Sequence, residues 1–153
     1  MNSLSDNKMI DKLYEASRAG VKIRLIIRGI CSLIPGVKGM SENIEAISIV
    51  DNYLEHSRVY IFCNNNEPEV YISSADFMTR NLDSRVEITC PIYDQSIKKE
   101  LIDTFDIGWK GNVKVRYHSE KLDNKYRMRG DSPIFRAQLE TYNYYRNKIE
   151  VVI

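Results

Sequence analysis

Nothing in the 153 residues organises them by cysteine, by charge of one sign or by a long apolar run. The three cysteines, Cys31, Cys63 and Cys90, stand in separate segments, an odd number without paired spacing. That pattern argues against a disulfide framework and against a zinc site, and reduced, buried thiols of a cytoplasmic protein are the reading. Twenty-two basic against 21 acidic side chains leave a net charge of +1, so no overall field points to a nucleic acid or a membrane. No apolar stretch reaches the roughly 20 residues that a bilayer span needs, and no signal peptide opens the chain. Repeats, low-complexity tracts and internal linkers are missing as well, which leaves one domain across residues 1–153.

What is present suits such a domain. Hydrophobic residues make up 43% and charged residues 28%, proportions of a soluble protein with enough chain to bury a core. Ser5 or Asp6 can cap a helix carrying Met9, Ile10, Leu13 and Tyr14 at helical spacing, and Gly20 stops it. The start, Met1 to Ser5, leads into that helix with no opening strand and reads as a fragment boundary. Val21, Ile23, Leu25 and Ile27 alternate with Lys22 and Arg24, the period of a strand, and Arg28-Gly29 follows at its C-terminal edge. That edge is where ligands of α/β sheets usually bind.

Further along, Ser41 can cap a second helix with Ile44, Ile47 and Leu54 on one side. Arg58 to Cys63 and Glu69 to Ser74 read as strands of a hairpin around the turn cluster Asn64 to Pro68. Arg85 to Cys90 reads as a strand closed by Pro91, Asp94 as the cap of a third helix, and Asn112 to Tyr117 as a short strand. Residues 118–132 are loop-like, and Ser132-Pro133 places a cap and a first-turn proline at the head of a last helix. The expected fold is α/β, a mixed β-sheet flanked by helices.

Four stretches hold unusual polar residues beside strand ends: Ile27-Arg28-Gly29, Glu55-His56-Ser57-Arg58, Ser73-Ser74-Ala75-Asp76 with Arg80-Asn81, and Ser84-Arg85. Singly each has a bland account: a solvated arginine, a hydrogen-bonded histidine, a turn cap. Together they suit an anion. Arginine donates two parallel hydrogen bonds to phosphate, and histidine can attack phosphorus or donate to a leaving oxygen near neutral pH. Residue patterns lead to a phosphate site and no further. His118 reads as a solvated loop residue, Lys125, Arg127 and Arg129 as an exposed charge run, and Tyr142, Tyr144 and Tyr145 as packing plus a domain interface.

The stretches 28–36, 47–51, 53–62, 71–76 and 78–85, with the Leu13-Tyr14-Glu15-Ala16-Ser17 helix and the tail around Arg136-Ala137-Gln138-Leu139, resemble the C-terminal region of polyphosphate kinase. The resemblance covers nearly the whole chain. It implies a phospholipase D-like domain, the C-terminal catalytic part of a longer multidomain enzyme. Such enzymes reversibly transfer the terminal phosphate of ATP to polyphosphate, through a phosphohistidine and with Mg2+. The phosphorylated histidine and the magnesium-binding arginines lie in the preceding domain of the family, and neither matches a residue here. The resemblance makes His56 the second histidine, facing the first across a tunnel. It makes Arg28 and Arg85 nucleotide-phosphate ligands, with Arg58, Ser73 and Ser74 in support and no metal ligand in this chain.

The implied partners are other domains of the same polypeptide, ATP or ADP, polyphosphate and further copies in a homo-oligomer, in the cytoplasm or at the periphery of a membrane. The fragment alone is expected to be inactive. The phospholipase D pattern asks for His-x-Lys, a later Asp and Gly-Ser-x-Asn. Here His56-Ser57-Arg58 carries arginine for lysine, Cys63 stands where the Asp is counted, and Ser73-Ser74-Ala75-Asp76 replaces the last element. Those departures weigh against the first alternative, a phospholipase D-like phosphodiesterase. The second alternative is a polyanion-binding module without catalysis.

Overall fold

Asp6 opens the first helix through its carboxylate. Oδ1 accepts the Met9 amide at 3.0 Å and Oδ2 the Thr79 hydroxyl at 2.9 Å, satisfying an N–H that a helix end leaves unpaired. α1 spans Asn7–Arg18 and ends before Gly20, which sits in the left-handed region at φ 88°. Because the cap is buried and also holds Thr79, Asp6→Ala is expected to cost about 2 kcal/mol, the upper end for an N-cap. Urea unfolding reads this, and an unchanged midpoint would show that the cap contributes nothing.

The computed structural model describes residues 1–150. After α1 come β1 (Ile23–Ile26), β2 (Ile44–Ile49), β3 (Val59–Phe62), β4 (Glu69–Ser73), β5 (Thr89–Ile92), α2 (Gln95–Lys110), β6 (Val115–His118) and α3 (Ala137–Glu150). β1 and β2 are parallel and β6 pairs antiparallel with β2, giving the mixed sheet β1-β2-β6. The β3–β4 hairpin stands in a second sheet, β3-β4-β5, antiparallel throughout.

The mixed sheet is covered on both faces. Ile10, Leu13 and Tyr14 of α1 pack with Ile27 and Ile44 on one side. On the other, Trp109 of α2 and Ala137 of α3 pack with Ile26, Ile47, Ile49 and Val115. Gly108 lets α2 lie close, since a Cβ there would stand 3.1 Å from Ile26 Cδ1.

That double coverage overturns the helix expected after Ser41. Ile44, Ala46, Ile47, Ser48 and Ile49 are all buried. A central strand flanked on both faces carries apolar residues almost continuously, so a spacing of three occurs in it without any helix. Ser41 instead holds a turn, donating to the Ile34 carbonyl at 2.6 Å and accepting the Val37 amide at 3.0 Å.

The last helix also starts later than Ser132-Pro133. Asn112 exchanges hydrogen bonds with Phe135 (N to O at 2.9 Å, Oδ1 from N at 2.8 Å) and donates to the Pro133 carbonyl at 2.8 Å. The chain therefore enters the helix only at Ala137. β5 begins at Thr89 rather than Arg85 and contains Pro91, which an edge strand tolerates because one row of its N–H groups has no partner. β6 begins at Val115 because Lys114 takes φ 61° and breaks the extended run.

Two of the thiols expected to be buried are exposed: Cys63 at the hairpin tip and Cys90 on the edge strand. Among the described residues, no helix is long and apolar enough to cross a membrane.

Candidate functional site

Residues 2–5 lie as an extended seam between the exit of β1 and the turn after β4. The Leu4 amide donates to Ile30 O and the Ser32 amide to Leu4 O, both at 2.8 Å, while Phe77 N donates to Ser3 O at 3.1 Å and Ser5 N to Phe77 O at 2.8 Å. The seam packs against Gly29, where a Cβ would meet Asn2 O at 3.0 Å. This close approach explains why glycine follows Arg28.

The seam delivers Asn2 to the strand edge. Asn2 Oδ1 accepts Arg28 Nε at 3.0 Å and Nη2 at 2.6 Å, while Arg28 Nη1 donates to the Glu55 carbonyl. Each Nη atom keeps one uncommitted N–H, so the fork is anchored and still able to donate. Arg28 O accepts the Ser48 hydroxyl at 3.3 Å, which fixes the backbone as it leaves the sheet.

The Glu55 carbonyl brings Arg28 beside His56, and a second arginine organises that histidine. Arg58 Nη2 lies 2.8 Å from His56 Nε2. The same guanidinium forks onto Asp76, with Nε to Oδ1 at 3.2 Å and Nη2 to Oδ2 at 3.1 Å. Asp76, only 3% exposed, also accepts the amides of Asn2 and Ser3 at 2.9 and 3.1 Å. Burial works to raise the Asp76 carboxyl, but the Arg58 and amide hydrogen bonds outweigh it and hold it below its ordinary range. One connected network thus runs from His56 through Arg58, Asp76 and Asn2 to Arg28.

A guanidinium only donates, so the bond to Arg58 makes His56 Nε2 the acceptor and places the ring proton on Nδ1. His56 is exposed, while Arg28 and Arg58 are half-buried. A groove of about 630 Å3 lies elsewhere, lined by Asn66, Pro68, Tyr71 and Tyr93 at the hairpin tip, the far end of β3 from Arg58.

The remaining candidates lie outside the network. Arg85 is exposed and makes no hydrogen bond or ion pair among the described residues. Ser73 bonds Thr89 Oγ1 at 2.8 Å, and Ser74 donates to Glu87 while accepting the Ile88 amide at 3.0 Å. Ser73 ties the end of β4 to the start of β5, and Ser74 ties it to the segment just before.

His118 is half-buried rather than solvated, with Nε2 3.3 Å from the Ile27 carbonyl oxygen. Arg127, read as part of an exposed charge run, caps the end of α2 by donating to Trp109 O and Gly111 O at 2.6 and 2.7 Å. Tyr144 packs toward α2 and donates to Asp103 at 2.9 Å, while Tyr142 is exposed. Among the described residues no group of three or more His, Cys, Asp or Glu side chains is arranged to hold a metal ion. Asn2 gave no signal in the sequence, and Asp76 was visible only as the end of a turn-forming Ser-Ser-Ala-Asp.

This small α/β domain, with an arginine at the parallel-strand edge and a histidine–arginine–aspartate network beside it, has the phospholipase D-like fold that the resemblance implies. A crystal structure of polyphosphate kinase from Porphyromonas gingivalis superposes with a TM-score of 0.95 at 44% identity, over 99% of this chain and 23% of that one. The family model described as polyphosphate kinase C-terminal domain 2 matches residues 1–138. The chain belongs to that family. The polyphosphate kinases of Escherichia coli K12 and of Vibrio cholerae serotype O1 are each 49% identical over 147 residues, 96% of this chain. The chain spans 21% of the length of either relative.

Proposed function

We propose that this chain supplies the second-histidine side of a phosphoryl-transfer site in a longer polyphosphate kinase. There the terminal phosphate of ATP passes reversibly to polyphosphate by way of a phosphohistidine carried elsewhere in the polypeptide. The observation that supports this most is the network joining Arg28 to His56, because it anchors a fork suited to phosphate on the carbonyl next to His56 and orients the imidazole through Arg58. Such transfer depends on positioning and charge stabilisation more than on covalent work by the protein.

Arg28 would hold nucleotide phosphates through its uncommitted N–H groups. His56 would donate from Nδ1 to the leaving oxygen. Arg58, committed to Asp76 and His56, would orient the imidazole rather than bind substrate. Arg85, exposed and unpaired within the described residues, would meet the polyphosphate or nucleotide from the rim. Ser73 and Ser74 would support the turn that carries Asp76. The Mg2+ that family chemistry uses would neutralise phosphate charge from ligands outside this chain.

Steady-state kinetics of a full-length polyphosphate kinase carrying this segment tests the reading. Arg28→Ala should remove about 2–4 kcal/mol of transition-state stabilisation from kcat/KM for ATP. Arg28→Lys should recover little, because an ammonium lacks the planar fork. Wild-type kcat/KM in Arg28→Ala would refute the assignment.

A further inference from the structure

The segment between β2 and His56, residues 50–55, has no regular structure and is mostly exposed, yet two side chains from the stretch before and at the start of α3 grip it. Arg136 forks onto Asp51, Nε to Oδ2 at 2.8 Å and Nη2 to Oδ1 at 2.6 Å, and the Asp51 side chain is only 2% exposed. Gln138, itself buried, takes both backbone groups of one residue: its Oε1 accepts Tyr53 N at 2.9 Å and its Nε2 donates to Tyr53 O at 2.8 Å.

The grip has a firm base. Ala137, between the two clamping residues, belongs to the core with Ile47, Ile49 and Val115. Phe135, just before them, is paired to Asn112. Of the clamped residues, Tyr53 lies two positions before Glu55, whose carbonyl receives Arg28, and three before His56, and Asp51 lies four and five before them. The Tyr53 and Leu54 side chains are 70% and 82% exposed, so they contribute little packing to hold this segment in place. Hydrogen bonds from Arg136 and Gln138 do so instead.

We infer that Arg136 and Gln138 are positioning residues for His56, fixing the loop so that its imidazole meets Arg58 and the Glu55 carbonyl meets the Arg28 fork in one geometry. This rests on the reading that His56 acts in phosphoryl transfer. A displacement of about an ångström in a positioned group is enough to cost on the order of 100-fold in rate.

The test is kinetic and uses a full-length polyphosphate kinase carrying this segment. Gln138→Ala is expected to lower kcat about 30- to 100-fold with the KM for ATP within about threefold, since Arg28 keeps its bonds to Asn2. Gln138→Glu keeps an acceptor for Tyr53 N but loses the donor to Tyr53 O, and should fall between Ala and wild type. Arg136→Lys should likewise retain more turnover than Arg136→Ala. In a His56→Ala background, Gln138→Ala should cost less than about threefold more, because the group it positions is already gone. Hydrogen exchange at the Tyr53 amide should quicken in Gln138→Ala.

Wild-type kcat in Gln138→Ala, or the same loss with and without His56, would overturn the inference. If Gln138→Ala does not fold, Gln138→Glu carries the test, and wild-type kcat in that variant overturns it equally. Should His56→Ala itself turn over like wild type, the phosphoryl-transfer reading fails whatever Gln138 does, so the two failures are told apart.

Discussion

His56→Ala is expected to lower turnover of a full-length polyphosphate kinase carrying this segment by about 10²- to 10³-fold, the range for removing one preorganised hydrogen-bond donor aimed at developing charge. The expectation follows from how the ring is held. Arg58 occupies Nε2 at 2.8 Å, leaving Nδ1–H as the donor of an exposed ring in the residue after Glu55, whose carbonyl receives Arg28. Charge developing on a leaving phosphate oxygen would meet a donor whose orientation is already fixed, which is where preorganised hydrogen bonds act most strongly. His56→Asn, whose amide N–H stands near the place of Nδ1, should retain more turnover than alanine. His56→Gln should retain less, because its amide reaches toward Arg58. A polyanion-binding module would behave differently: alanine at 56 would leave polyphosphate binding and its salt dependence intact, with no catalytic step to lose. Comparing kcat of the three variants decides between these.

The largest effect on stability is expected at Asp76. Asp76→Ala removes the acceptor for one guanidinium and two backbone amides at once, with the Arg58 side chain 15% exposed. Leaving a mostly buried charge without its partner costs about 3–5 kcal/mol, measurable as a shift in chemical unfolding. Asp76→Asn keeps the size but not the charge and should fall between.

The pH dependence has a definite sign. The folded carboxyl lies below the ordinary value of 3.8, because the hydrogen bonds from Arg58 and the amides outweigh burial. Its contribution is therefore fully present above the unfolded value and is lost as pH falls through the folded one. The gap in stability between wild type and Asp76→Asn should narrow in acid. An equal gap at neutral pH and below pH 3.8 would contradict this.

Much of this architecture was legible along the chain where the decisive partner lies within a few residues. Asp6 caps α1 and Asp94 caps α2 through amides two or three positions away. The asparagine cluster 64–66 turns the hairpin because asparagine accepts the left-handed conformation at φ 42°, 55° and 68°. β2 was misread because periodicity cannot separate a strand buried on both faces from a helix. The start of α3 was misread because Asn112, far away in sequence, decides it.

At the site, Arg28 and His56 stood out by residue type and by resemblance to polyphosphate kinases. What joins them did not. Asn2 reaches Arg28 across 26 positions and Asp76 across 74, while Gln138 reaches Tyr53 across 85. Neutral polar residues making such contacts leave no pattern in one sequence.

The seam of residues 2–5 links the two sheets, bonding to the exit of β1 on one side and to the turn after β4 on the other. Leu4 and Phe77 bridge there as short β-contacts, and Phe77 stacks on Tyr60 of β3 with ring centroids 5.0 Å apart. Apolar surfaces can slide, whereas hydrogen bonds such as Asn2 to Asp76 and Asn2 to Arg28 are directional. A phosphate held by both Arg28 and His56 would add one more tie across that joint, so occupancy should slow separation of the sheets, and a looser joint should weaken grip on the anion.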